Sequence, residues 1–194
     1  MKKIVPVNAT LIPEHAERVF KGTIFDVYHW QQEMFDGSFE TFEMLKRPDS
    51  VSIIAIHNKK LVIVREQQPG SEPWFGLPAG RHDHLEESEL VAAQREMKEE
   101  TGLTFKNWTL LSVGQPSGKL EWFDYIFLAT ELAAEDEQNL DAGEKIDVHY
   151  MTLDEVSRKH KEESMRFWPE LLSGIKSLDE LLALPKFKGK EIER

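Results

Sequence analysis

The chain has 194 residues, 40% of them apolar, enough for one sizeable core with a small accessory arm. Its formal net charge of −11 argues against a general nucleic-acid or anionic-membrane surface. The absence of cysteine rules out disulfides and thiolate metal sites and suits a reducing cytoplasm, and no run is apolar for long enough to span a membrane.

Residues 1–17 are mixed, interrupted by Pro6 and Pro13, and do not read as a cleaved signal. Phe20 to Trp30 and Phe39 to Leu45 read as strands, with Asp36-Gly37 as the turn of a hairpin that has one wet face and one buried face. Lys46-Arg47-Pro48-Asp49-Ser50 breaks the pattern. It divides an N-terminal β arm, 1–48, from a main domain, 49–194. Val51 to His57 and Lys60 to Arg65, joined by Asn58-Lys59, are nearly continuously apolar, the pattern of strands buried on both faces. A loop with Pro69 and Gly70 follows, and then a helix over Glu87 to Thr101, stopped by Gly102, with Leu90, Ala93 and Met97 as its apolar stripe. Phe105 to Val113, Leu120 to Ala129 and Lys145 to Thr152 read as strands, and Glu135 to Gly143 as an acidic loop. Leu153 to Ser164 reads as a helix, Pro169 to Leu184 as one or two more, and the last ten residues as a fraying tail. The fold class is α+β, a mixed sheet flanked by helices.

The helix after residue 86 carries the chemistry. At about 100° per residue, Glu100 lies about 40° from Glu96, and Glu99 about 60° to the other side. The three acids crowd one face, and like charges so spaced weaken a helix by a few tenths of a kcal/mol per pair. A divalent cation there would remove the repulsion, and oxygen-only ligands favour Mg²⁺ or Mn²⁺ over zinc. Taken alone, a Glu/Lys/Arg-rich helix is most often a solvated face, with Arg95 and Lys98 neutralising part of this one.

The ordered residues around the helix decide between the two. Glu87, separated by seven residues from Arg95-Glu96-Met97-Lys98-Glu99-Glu100-Thr101-Gly102-Leu103, resembles the Nudix box, the signature of Nudix hydrolases. The preceding Leu77-Pro78-Ala79-Gly80 is similar to the lead-in of the ADP-ribose and nucleotide-sugar pyrophosphatase branch. One departure stands out: six residues, Arg81 to Glu86, separate Gly80 from Glu87, where the family has five. Counted forward from Gly80 the matching acid is Glu86; counted back from Arg95 it is Glu87.

The resemblance implies an α/β/α sandwich with a mixed sheet and an N-terminal antiparallel hairpin arm that contributes to a homodimer. It implies Glu96 and Glu100 as metal ligands, Glu99 as a bridging or outer ligand, and the Ala79 carbonyl as a further oxygen donor. Arg95 would orient an acid, Glu87 being the expected partner. The general base in this branch comes from an acidic loop before a late strand, here Glu144, with Asp141 as the alternative. Arg65 and Gln68 fall where the branch has Arg-Gln-x-Arg, so Gln68 takes the place of a cation. Arg47, Arg65 and Arg81 are the cations available to a diphosphate, and Tyr28 and Trp30, with Phe25, offer faces on which a base stacks. The implied activity is Mg²⁺- or Mn²⁺-dependent hydrolysis of the diphosphate bond of ADP-ribose or a nucleoside diphosphate sugar, giving a nucleoside monophosphate and a sugar phosphate. The expected partner is a small-molecule nucleotide, with neither nucleic acid nor membrane. The rivals are a nucleoside triphosphate pyrophosphohydrolase and a non-catalytic nucleotide-sensing module of the same fold. The lead-in and the hairpin weigh against the first, and the complete glutamate set against the second.

Overall fold

The computed structural model describes residues 2–84, 86–163, 165–166 and 169–193. In chain order the first strands are β1 (Lys2–Val5), β2 (Glu17–Lys21), β3 (Asp26–Glu33), β4 (Phe39–Lys46), β5 (Asp49–His57), β6 (Lys60–Gln67), β7 (Trp74–Gly76) and β8 (Ala79–His82). Helix α1 (Glu89–Thr101) follows, and then β9 (Leu103–Gly114), β10 (Leu120–Glu121), β11 (Asp124–Glu135) and β12 (Lys145–Met151). Helix α2 (Leu153–Glu163), a 3₁₀ turn (Glu170–Leu172), α3 (Leu178–Leu182) and β13 (Lys190–Glu193) complete the order. The expected helix end at Ser164 and the loop residue Leu85 lie outside the described residues. Among the described residues no helix is long and apolar enough to cross a membrane.

The chain forms two compact units. The first gathers Met1–Ser50, Val113–Asp124 and Lys188–Arg194, so the N-terminal arm is joined by two remote segments. Its four-stranded sheet runs β10-β4-β3-β2, with β3 and β4 antiparallel and β10 parallel to β4. Glu121, only 2% exposed, is held by Lys46 Nζ at 2.9 Å and by the Ile12 amide at 2.7 Å, which is how an acid survives there. Asp49 is likewise buried, ion-paired with Lys3 and accepting from the Phe123 amide at 2.9 Å. The tail expected to fray is instead strand β13, antiparallel to β1, and its mixed charges make a cross-strand pair between Lys2 and Glu191 at 3.0 Å.

The second unit, Val51–Ser112 and Tyr125–Phe187, carries most of a seven-stranded sheet ordered β12-β6-β5-β11-β9, with β7 pairing β6 and β8 pairing β5. Asn58 and Lys59 adopt left-handed φ of 49° and 61°, the tight turn that lets β5 and β6 pair as Ile56 with Leu61 and His57 with Lys60. On one face Ile54, Leu61, Ile63, Leu111, Ile126 and Leu128 pack with Leu153 and Val156 of α2 and Leu181 of α3. The other face takes α1, giving the expected α/β/α sandwich of mixed sheets.

Ser88 caps the start of α1 by accepting from the Val91 amide, and Gly102, at φ 74°, ends it with its amide on the Lys98 carbonyl at 2.8 Å. Ala93 and Met97 of the expected stripe are buried, and Leu90 is not. Leu90 is 37% exposed, and the buried residues are Ala92, Ala93, Met97, Glu100 and Thr101. Small alanines let the helix lie close to the sheet, and the carboxylate of Glu100 is carried inward beside Met97.

Gly102 has two reasons to be glycine: its left-handed backbone, and a Cβ there would stand 2.1 Å from the Asp136 carbonyl oxygen. Gly102→Ala is expected to lower unfolding stability by about 2 kcal/mol or more in chemical denaturation. An unchanged denaturation midpoint would mean that this helix end does not hold the fold.

Candidate active site

The site is built where β8 meets α1. Gly80 lies so close to the helix that a Cβ would stand 2.0 Å from Cδ of Glu96, so only a bare backbone fits against that carboxyl group. One residue earlier, the Ala79 amide donates to Glu100 Oε2 at 3.0 Å. Glu100 is 3% exposed, and burial pushes its carboxyl well above the ordinary range; the Ala79 bond opposes this, while the charges of Glu96, Glu66 and Glu144 add to it.

Arg95 organises the rest. Its Nη1 donates to Glu96 Oε1 at 2.7 Å and Glu99 Oε2 at 3.0 Å. Its Nη2 donates to Glu87 Oε1 at 2.9 Å and the Arg81 carbonyl at 3.0 Å, and its Nε to Glu87 Oε2 at 3.3 Å. The Arg95 pair therefore forms with Glu87, while Glu86 is exposed. The longer loop is anchored at both ends, since His82 Nε2 also lies 2.8 Å from the Glu87 carbonyl. Burial alone would raise the Glu87 carboxyl, but the hydrogen bond and charge of Arg95 outweigh it and hold the group below its ordinary range.

Glu144 sits in the turn before β12. Its amide donates to the Asp141 carbonyl at 2.9 Å, and the Asp141 amide approaches its Oε2 at 3.3 Å. Burial raises its carboxyl, with the charges of Asp141, Glu66 and Glu99 adding to the effect. Asp141 is exposed and reaches Glu144 both through its backbone amide and through its charge. The structure also brings in an acid absent from the sequence-based set, Glu66 of β6. Its carboxyl is raised by burial, against a hydrogen bond from Gln68 at 2.7 Å and the charge of Arg166. The available signal was the alternation of β6, which puts Glu66 on the side opposite its neighbour Arg65.

Five carboxylates, Glu66, Glu96, Glu99, Glu100 and Glu144, thus act on one another, with Arg95 as their chief counter-charge. As they stand, no three acidic or histidine groups among the described residues converge on one point, because Arg95 and the Ala79 amide hold them. The donor set is all oxygen, crowded with like charge, and backed by a glycine cradle. That chemistry fits a hard divalent cation.

The expected substrate contacts divide between the units. Arg81 lies 3.7 Å from Asp83, Arg65 lies 3.8 Å from Asp147, and Gln68 is bonded to Glu66. In the first unit the Arg47 guanidinium lies 4.6 Å from the Trp122 ring centre and 5.7 Å from that of Phe25. Trp30 donates to Gln32 at 3.0 Å, and Tyr28 is paired with Met44.

Burial pushes the Glu96 carboxyl up from 4.5 to about 6, with Arg95 opposing and Glu99 and Glu144 adding. A group that binds its proton more tightly when folded adds stability below its unfolded value, and loses it as pH rises through the folded one. Without metal, this contribution is expected to be full below pH 4.5 and gone above about pH 6, a swing of about 2 kcal/mol. Glu96→Gln should flatten that part of the curve in denaturant titrations across pH 4 to 7. Superimposable pH profiles for the two proteins would refute the assignment.

The NUDIX domain model matches residues 46–171. The chain is 32% identical over 144 residues to the ADP-ribose pyrophosphatase of Bacillus subtilis (strain 168), spanning 72% of this chain and 77% of that protein. It is 29% identical over 151 residues to the methanol dehydrogenase activator of Bacillus methanolicus, spanning 75% and 80%. Among solved structures, one described as an ADP compounds hydrolase superposes with a TM-score of 0.63 at 23% identity, covering 78% of this chain and 83% of that one, a likeness of fold. With the Glu96–Glu100 helix packed against Gly80 and these matches spanning most of its length, the chain belongs to the Nudix family of hydrolases.

Proposed function

We propose that the protein hydrolyses the diphosphate bond of ADP-ribose or a nucleoside diphosphate sugar, with Mg²⁺ or Mn²⁺ as cofactor, giving a nucleoside monophosphate and a sugar phosphate. The observation that carries the reading is the set of mutually repelling carboxylates that includes Glu96, packed against the bare backbone of Gly80, and Glu100, on the Ala79 amide. The relative from Bacillus subtilis, an ADP-ribose pyrophosphatase by name, supports the substrate class.

A divalent cation bound there supplies positive charge to the diphosphate oxygens and lowers the pKa of water. The chain's own residues do the rest. Glu96 and Glu100 would hold the cation, with Glu99 as a further ligand and the Ala79 carbonyl as another oxygen donor. Arg95 keeps Glu96 and Glu99 aimed while Glu87 fixes Arg95 from behind. Glu144 accepts the proton of the attacking water, since its raised carboxyl and half-buried place suit a base working near neutral pH better than exposed Asp141 does. The water oxygen bonds to phosphorus as the bridging P–O bond breaks, and the leaving phosphate takes the electron pair. Arg65, Arg81 and Gln68 of the second unit are the proposed polar contacts of the substrate. Exposed Val19, Phe20 and Phe39 on the first unit support a homodimer, and the lack of cysteine suits a cytoplasmic setting.

The test is Mg²⁺-dependent release of AMP from ADP-ribose, set beside a panel of nucleotide sugars and triphosphates. Diphosphate cleavage in the first two groups is expected; no release from any compound would favour a sensing module. Glu100→Gln is expected to lower kcat by on the order of 10²-fold or more. Near-wild-type turnover of that variant at saturating Mg²⁺ would remove Glu100 from the mechanism. In pH–rate profiles Glu144→Gln should abolish the acidic limb, and Asp141→Asn should keep it. The reverse outcome would move the base to Asp141.

A further inference from the structure

Side chains on a strand alternate between its two faces. On β6, Leu61 and Ile63 pack with Val156 and Leu181 beneath α2 and α3, so Val62, Val64 and Glu66 face the side that carries α1. Directly opposed antiparallel residues share a face, and Glu66 is opposed by Ile146 of β12, two residues beyond Glu144. Glu66 thus lies on the face of the sheet that carries α1, beside the start of β12 that Glu144 precedes. Gln68 Nε2 fixes Glu66 Oε1 at 2.7 Å, and among the described residues Oε2 accepts no hydrogen bond. Arg166 offsets the charge of Glu66 in part, yet that charge still reaches Glu100 and Glu144. A half-buried carboxylate with one oxygen fixed and the other accepting no hydrogen bond, within reach of the charge of other carboxylates, is stabilised when a cation joins them.

We propose that Glu66 is a ligand, directly or through one bound water, of the divalent cation held by the Glu96–Glu99–Glu100 face, so that the cation site spans helix and strand. This rests on the reading that those glutamates hold a cation. Gln68 is then a positioning residue: it sets the rotamer of Glu66 and leaves Oε2 for the ion.

The experiment titrates Mn²⁺ into substrate-free protein and follows the electron paramagnetic resonance signal of the free ion. Glu66→Gln keeps the shape of the side chain, and Glu40→Gln, on an exposed strand position of the first unit, controls for loss of one surface charge. The Mn²⁺ Kd is expected to rise by about tenfold or more in Glu66→Gln and to stay within about twofold in Glu40→Gln. Thermal unfolding adds a readout that a merely structural residue would not give. Glu66→Gln should raise Tm without metal, because a like charge is removed, and should gain less from added Mn²⁺ than the wild type. A Kd within twofold of wild type, or a Tm lowered equally with and without Mn²⁺, overturns the proposal. Should the wild type itself bind no Mn²⁺, the cation reading fails with it, and that result is distinct from a wild type that binds and a variant that binds equally well.

Discussion

One guanidinium decides the shape of the acidic corner. Arg95 meets Glu87, Glu96 and Glu99 and also the Arg81 carbonyl, so a single planar fork joins the helix to the loop before it. Burial by itself would weaken its hold on the proton, but the three acids more than reverse that, and the group stays charged. Removing one partner from such a half-buried network leaves charge uncompensated, which costs more than the bond lost. The one-residue insertion between Gly80 and Glu87 is tolerated because both flanks of the loop are tied to the same side chain.

Arg95 does not balance the corner. Glu100 enters the apolar side of α1 with the Ala79 amide as its hydrogen-bond donor, and the charges of Glu66 and Glu144 act on it. The fold tolerates this repulsion because the alanines and Met97 of α1, and the Leu61–Val156–Leu181 layer on the other face, stabilise the sandwich independently. A site poised with too much negative charge gains most when a cation arrives, since the same carboxylates then turn from mutual repulsion to shared attraction. Stability and function pull in opposite directions at these few residues, and the pH behaviour of Glu96 reports that tension.

Local patterns carried much of this fold. The apolar runs of β5 and β6, the Asp36-Gly37 hairpin and the Gly102 helix stop are each set by a few neighbouring residues, and all appear in the structure. The spacing from Arg95 to Leu103 likewise placed the glutamates on one helix. What escaped depends on partners far away in sequence. β13 forms because Lys190–Glu193 finds Lys2–Val5, and the aromatic run after Leu120 breaks at Trp122 because Phe123 donates to the remote Asp49. Leu90 reads as core by periodicity yet is exposed, because the sheet meets the helix on the alanine side instead. Glu66 was hidden for a related reason: facing the site requires knowing which side of β6 the helix covers. Loop acids such as Asp141 and Glu144 look alike in sequence, and only their exposure separates them.

The three-part make-up of the first unit bears on the order in which the protein matures. Lys2–Val5 is translated well before its ladder partner, Lys190–Glu193. Until then the earlier strand has an unmatched edge, while the unit bearing the glutamates is drawn from residues up to Phe187. Closing so long a loop costs only a little more than closing one half its length, since that cost grows with the logarithm of length. The delay comes from translation rather than from thermodynamics, so the hydrolase core can consolidate on the nascent chain before its N-terminal companion is zipped shut.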